Sequence, residues 1–309
     1  MMRALVAAGI SAAALAGSVA ASQIYRGGTD VVLLSVTVTD SANHHVAGLV
    51  REDFRVLEDG VLQDISHFSS QAEPISLSLL MDTSTSMETE NKIVLAQQAA
   101  LGLISRMREN DVAQIMDFDS QTKVLVPFTG DKAALERGLR LTKAGGSTSM
   151  YNAIYTALSE LKLMRSRLTG EPRRQAIVLL SDGEDTSSIV RNEDVLELAK
   201  RCEVIVYAIG LVAKDVATSR QSAGWNEAEF MLKTLTRETG GRAFFVSDPQ
   251  QLPAIYVQIA EEISNQYSVG YISKNTKRDG AWRKIALQVV KGDATPRTRA
   301  GYYAPTVAR

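Results

Sequence analysis

Between Asp30 and Thr39 apolar and polar residues alternate. Val32, Leu34, Val36 and Val38 fall on one side and Ser35, Thr37 and Thr39 on the other, the two-residue period of a half-buried strand. Asp40–Asn43 is turn chemistry. Phe54–Leu57 and Ile65–Phe68 flank Glu58-Asp59-Gly60, and Asp-Gly between short apolar runs predicts a hairpin. Residues 28–72 therefore read as a small N-terminal β module without helical periodicity.

The pattern changes at Pro74. Ile75–Met81 is the continuous apolar-leaning run of a strand buried on both faces. A helix over roughly 89–107 follows, then a strand (Val112–Phe118) with a hairpin partner (Lys123–Val126) and two helices (Lys132–Leu141 and Tyr151–Leu168). Strands Ala176–Leu180, Val204–Ile209 and Arg242–Val246 then alternate with helices Glu193–Arg201, Glu227–Thr239 and Pro253–Gln266. Such alternation predicts an α/β fold with a doubly wound, mostly parallel sheet over residues 74–263. Beyond Gln266, Tyr267–Ile272, Lys284–Val290 and Arg297–Tyr303 read as strands, with Arg278-Asp279-Gly280 as a turn. Neither β-rich end has enough strands to bury a core alone. Residues 266–305 are therefore expected to pair with 28–72, so that the α/β unit is inserted between two halves of one small β-sandwich.

The first residues point to a compartment. Met1-Met2-Arg3 is basic, Leu5–Gly17 is uncharged and apolar or small, and Ser18-Val19-Ala20-Ala21-Ser22 offers a cleavage site, the three-part pattern of a secretory signal over residues 1–21. The alternative is a membrane anchor, but the run is near the lower limit for a spanning helix and is mostly Ala and Gly. The expectation is an exported protein, periplasmic or extracellular, with no membrane span in the mature chain.

Composition narrows the chemistry. Lys plus Arg is 34 and Asp plus Glu 35 over 309 residues, with no local basic cluster, which excludes nucleic-acid binding driven by bulk charge. A hydrophobic content of 45% provides for a real core. The single cysteine, Cys202, excludes an intrachain disulfide and a cysteine-based metal site, and reads as a small buried hydrophobe. The histidines, His44, His45 and His67, all lie near the N-terminus, so a zinc enzyme or a Ser-His-Asp hydrolase would have to be built from those three.

Candidate chemistry collects after the buried strands. Ile75–Met81 runs into Asp82-Thr83-Ser84-Thr85-Ser86-Met87, and Ala176–Leu180 into Ser181-Asp182-Gly183-Glu184-Asp185. In a parallel sheet both loops leave at the carboxyl edge, where ligands bind at the reversal of strand order. A third loop, Gly145-Gly146-Ser147-Thr148-Ser149-Met150-Tyr151, is hydroxyl-rich and precedes a helix. Taken singly, Thr85-x-x-Glu88 is a helix capping box and Asp182-Gly183 a plain turn. Taken together, the loops would surround a cation with carboxylates and hydroxyls, hard ligands that suit Mg²⁺, with Mn²⁺ or Ca²⁺ as substitutes. Asp117 and Asp119 read as solvated strand-end carboxylates. The long Val212–Asn226 stretch, with Trp225, leaves another strand's carboxyl edge.

Asp82-x-Ser84-x-Ser86, Thr148 and Asp182 resemble the metal-ion-dependent adhesion site of von Willebrand factor type A domains. Leu57-Glu58-Asp59-Gly60 and Gly301-Tyr302-Tyr303-Ala304-Pro305 extend the likeness to exported bacterial proteins related to that family. The resemblance implies that Ser84 and Ser86 bind metal directly and that Thr148 does so in the ligand-competent state. Asp82 and Asp182 would act through water, and one position would stay open for an acidic group of a partner. One departure is Thr85, where such domains often carry Gly.

The expected function is thus a metal-dependent protein-binding module, not an enzyme, whose protein ligand supplies a carboxylate. Two alternatives stand beside it. One is a structural or assembly module with a vestigial site. The other is a metal-assisted hydrolase or phosphotransferase, against which stand the lack of a GxSxG elbow, a P-loop or a Cys/His dyad. An aspartyl-phosphate enzyme would also add direct carboxylate ligands and a nearby lysine, which the Asp82 loop does not resemble.

Overall fold

Strand β1 (Val31–Thr39) carries the predicted alternation into the fold, with Leu34, Val36 and Val38 buried. The computed structural model describes residues 31–71, 73–167, 173–212 and 223–306. The signal expected over 1–21 and most of the Val212–Asn226 stretch lie outside the described residues. After β1 come β2 (Phe54–Glu58), β3 (Val61–Gln63), β4 (Ile65–Ser69) and β5 (Ile75–Asp82). They are followed by α1 (Lys92–Ser105), β6 (Val112–Phe118), β7 (Thr122–Thr129), α2 (Lys132–Arg140), α3 (Met150–Arg167) and β8 (Arg174–Ser181). Next are α4 (Asn192–Arg201), β9 (Val204–Leu211), α5 (Ala223–Thr239), β10 (Ala243–Val246) and α6 (Leu252–Ser264). The chain closes with β11 (Tyr267–Ile272), β12 (Trp282–Val289), β13 (Thr295–Arg297) and β14 (Gly301–Tyr303).

The central sheet has the order β10-β9-β8-β5-β6-β7, parallel throughout except for the β6–β7 pair. Strands β5, β8 and β9 are buried along their whole length, which is why they read as apolar runs without alternation. One face packs Leu77, Leu79 and Met81 against Ala96, Ala100 and Ile104 of α1 and Tyr256 and Ile259 of α6. The other packs Leu80, Ile177 and Leu179 against Ile154, Ala157 and Leu161 of α3, Val195 of α4 and Leu235 of α5. From β5 the chain builds outward through β6 and β7, then returns to place β8 on the other side of β5. The reversal of strand order lies between β5 and β8, and their carboxyl ends open onto one crevice.

The β-rich ends meet in two four-stranded sheets, β13-β1-β11-β4 and β14-β12-β2-β3. Both sheets interleave strands from the two ends: β1 pairs with β11, and β2 with β12. Val36, Val38, Phe54, Val56, Tyr267, Val269, Tyr271 and Ile285 fill the space between them. Two expectations are corrected here. The hairpin partner of Phe54–Glu58 is Val61–Gln63, not Ile65–Phe68. Asp59 and Gly60 have φ of 48° and 83°, a two-residue turn with both residues left-handed, which commits the strand that follows at once. Ile65–Phe68 crosses instead to β11 of the other sheet. The run Arg297–Tyr303 is likewise two short strands, since β13 pairs with β1 and β14 with β12. The corner ends at Gly301, where a Cβ would stand 2.3 Å from the Arg283 carbonyl and 2.5 Å from the Trp282 ring.

The helix expected from residue 89 begins at Lys92. Thr89 is extended, and Glu90 and Asn91 are left-handed with φ of 53° and 55°, which ends the preceding 3₁₀ segment (Thr85–Asn91) before α1 starts. Among the described residues no helix is long and apolar enough to cross a membrane.

Candidate metal centre

Asp82 is the last residue of β5 and is fully buried. Its Oδ1 accepts the Ser84 N–H at 2.8 Å, and its Oδ2 accepts the Ser181 hydroxyl at 2.5 Å. Burial pushes the carboxyl up to about 6; the bonds from Ser181 and Ser84 oppose that, and the nearby Asp182 charge adds to it. Ser84 is 3% exposed, whereas Ser86 opens to solvent. Their hydroxyl oxygens stand 3.0 Å apart. The Ser86 hydroxyl donates to Asp182 Oδ1 at 2.6 Å, and Lys92 Nζ donates to Asp182 Oδ2 at 2.6 Å. The Asp182 side chain is 0% exposed and the Lys92 side chain 13%. Ser84, Ser86, Asp182 and Lys92 thus form one hydrogen-bonded chain across the mouth of the crevice, with Asp82 beneath it.

Thr148 stands beside that chain. Its hydroxyl borders the Asp182 turn, since a Cβ on Gly183 would lie 3.6 Å from Thr148 Oγ1. The Thr148 carbonyl accepts the N–H groups of Thr186 and Ser187 at 2.9 and 3.0 Å, and its own N–H reaches Thr186 Oγ1 at 3.1 Å, fastening this loop to the one that carries Asp182. Thr85 caps no helix. Its N–H and its hydroxyl both donate to the Gly146 carbonyl, at 3.0 and 2.9 Å. The Thr148 loop is thereby tied to both of its neighbours.

The donor set fits a small hard cation. Neighbouring oxygens in an octahedral shell at 2.0–2.1 Å from Mg²⁺ are about 3.0 Å apart, the separation of the two serine hydroxyls. Two buried carboxylates lie within one hydrogen bond of that pair, so the negative charge is present without direct carboxylate crowding.

Two residues of the centre escape sequence reasoning. Ser181 reads there as the end of a buried strand, yet its hydroxyl is the closest partner of Asp82. Lys92 reads as the second turn of a longer helix. Once α1 starts at Lys92, a cation stands in the first turn of a helix with no acidic residue there, against the helix dipole. That misplacement was the available signal, hidden by the wrong helix start. It also corrects one premise: a lysine does lie at the site. Asp119 is held by the Gln121 N–H at 2.8 Å and lies near Lys123, while one oxygen of Asp117 is buried without a hydrogen-bond partner and burial raises its pKa. Asp117 is therefore less solvated than a strand-end carboxylate should be.

An uncharacterised protein of Borreliella burgdorferi is 26% identical over 245 residues, covering 74% of this chain and 64% of that protein. A UPF0353 protein of Mycolicibacterium vanbaalenii is 25% identical over 225 residues, covering 66% and 64%. The match thus spans less than two thirds of either relative's length. The solved von Willebrand factor type A protein of Catenulispora acidiphila superimposes with a TM-score of 0.52 over 88% of this chain and 74% of that one, at 12% identity, a likeness of fold. Residues 77–184, which run from β5 to the Asp182 turn and supply all five candidate ligands, match the family model of the von Willebrand factor type A domain.

Proposed function

We propose that this chain is an exported, metal-dependent protein-binding module. In this reading a binding domain over 74–263 is carried on a β module built from 28–72 and 266–305. Ser84 and Ser86 would hold a divalent cation directly, Mg²⁺ by preference, with Thr148 joining when a partner is bound and Asp82 and Asp182 acting through water. The cation, when bound, supplies a Lewis-acidic position that takes a carboxylate from the partner protein. The observation that carries the reading is the Ser84–Ser86 hydroxyl pair, spaced at 3.0 Å and backed by two buried carboxylates. Two serines and a threonine leave the cation's charge largely uncompensated, so an anionic partner group completes the shell.

The aspartyl-phosphate alternative fares worse, although Lys92 meets one of its requirements. Asp82 is 0% exposed and both of its oxygens already accept hydrogen bonds, so it presents no free nucleophile.

The partner arm is tested by pull-down from the native cell surface with and without EDTA, using wild type and Thr148→Ala. The reading expects chelator-sensitive capture, weakened in the variant more than its Mg²⁺ affinity is. Capture that survives EDTA, or equal losses for metal and partner, would put recognition elsewhere on the molecule.

A further inference from the structure

The site contains a cation of its own. Lys92 Nζ bonds to Asp182 Oδ2 at 2.6 Å, and the carboxylate it neutralises is shielded completely from solvent. The ammonium is held by that ion pair, on a backbone fixed as the first residue of α1, directly after two left-handed residues, Glu90 and Asn91. A lysine at a helix N-terminus works against the helix dipole, so its place is set by Asp182 and not by helix stability.

Formal charge then has a consequence. Asp82, Asp182 and Lys92 sum to −1. A divalent cation brings the group to +1, and one partner carboxylate brings it to zero. Without Lys92 the metal alone would neutralise the two carboxylates, and a carboxylate arriving afterwards would leave an excess negative charge at a largely buried site. Charges at such short range interact strongly where water is excluded.

We propose that Lys92 is a specificity-determining residue: its ammonium competes with the divalent cation for Asp182, weakening metal binding alone and making retention of the metal depend on an anionic partner group. The proposal rests on the metal reading above and adds to it that this chain penalises the metal-only state. Reciprocity follows, since whatever factor a carboxylate adds to metal affinity, the metal adds to carboxylate affinity.

The test uses metal-stripped protein at neutral pH, with Mn²⁺ as the metal, its free concentration followed by electron paramagnetic resonance, and excess acetate as the carboxylate probe. Lys92→Met is expected to bind Mn²⁺ roughly tenfold more tightly than wild type, within the usual range of coupling between two sites. Lys92→Arg, which keeps the charge, is expected to stay near wild type. Acetate should tighten Mn²⁺ binding to wild type more than to Lys92→Met. A second readout needs no variant. Acetylation of Lys92 by an amine reagent, measured by mass spectrometry, should rise when Mn²⁺ is added to wild type, because a divalent charge beside Asp182 loosens the ion pair and lets the side chain swing out to the reagent. A folded Lys92→Met that binds Mn²⁺ no more tightly than wild type, or Lys92 reactivity that is unchanged or lower in the metal-bound protein, overturns the proposal and leaves the metal reading intact. Failure of both wild type and variant to bind Mn²⁺ overturns the two together.

Discussion

The carbonyl of Gly146 accepts two hydrogen bonds from one residue, the N–H and the hydroxyl of Thr85, at 3.0 and 2.9 Å. Thr85 stands where related domains often carry glycine, and this pair shows what the hydroxyl does: it pins the serine-bearing loop to the Thr148 loop. Thr85→Val keeps the branched side chain and removes one donor. It is expected to lower stability by about 1 kcal/mol, the usual net worth of such a bond. The melting temperature should fall by a few degrees, and amide exchange of the 145–148 segment should quicken. Unchanged exchange there would mean that the backbone bond alone holds the two loops.

Asp82 illustrates a cost built into the centre. Burial raises its carboxyl to about 6, so at neutral pH the folded chain holds a charged group that solvent would stabilise better. Asp82→Asn keeps the shape and can still accept from the Ser84 N–H while its amide donates to Ser181 Oγ. In EDTA at neutral pH the variant should be more stable than wild type, by something of the order of 1–3 kcal/mol. It should also lose any metal-induced rise in melting temperature. A variant less stable than wild type in EDTA would show that the hydrogen bonds, not the buried charge, dominate at this position.

Glu58 joins the two ends of the chain. It is 2% exposed and accepts from three hydroxyls: Tyr271 at 2.9 Å, Tyr302 at 2.9 Å and Ser273 at 2.6 Å. Burial comes first among the causes that hold both tyrosine hydroxyls protonated, taking Tyr302 up to about 12, with the carboxylate contributing. Glu58→Ala would leave these donors without their acceptor and should cost about 3 kcal/mol or more. Glu58→Gln, which keeps one acceptor oxygen for the tyrosine pair and turns the other position into a donor toward Ser273, should cost less. Chemical denaturation of the two variants measures the difference, and equal losses would show that packing volume matters here more than the hydroxyl network.

Much of this was legible in the sequence for identifiable reasons. Strands buried on both faces announce themselves as unbroken apolar runs, so Ile75–Met81 and Ala176–Leu180, and the acidic and hydroxyl groups at their ends, are placed by the sequence alone. The flanking runs Leu57-Glu58-Asp59-Gly60 and Gly301-Tyr302-Tyr303 stood out as motifs, and the fold brings them together: Tyr302 reaches Glu58, and Asp59 Oδ1 accepts the Lys284 N–H at 2.9 Å. What stayed hidden depends on tertiary context. Nothing in the local preference of Arg297–Tyr303 marks the corner that carries it from one sheet to the other. The left-handed pair Glu90-Asn91 has no glycine to advertise it, and so the start of α1 and the place of Lys92 were masked.

The central claim is that Ser84, Ser86 and the carboxylates behind them form a working divalent-cation site. The most direct measurement is the melting temperature of the metal-stripped chain against Mg²⁺ concentration, for wild type and Ser84→Ala. If the site binds, Mg²⁺ at 100 times its Kd stabilises the fold by about 2.7 kcal/mol. Wild type should then rise by several degrees in a saturable, EDTA-reversible way, while Ser84→Ala remains folded and shows no rise. A wild-type melting temperature that does not respond to millimolar Mg²⁺ or Mn²⁺, or an equal response in Ser84→Ala, would contradict the claim.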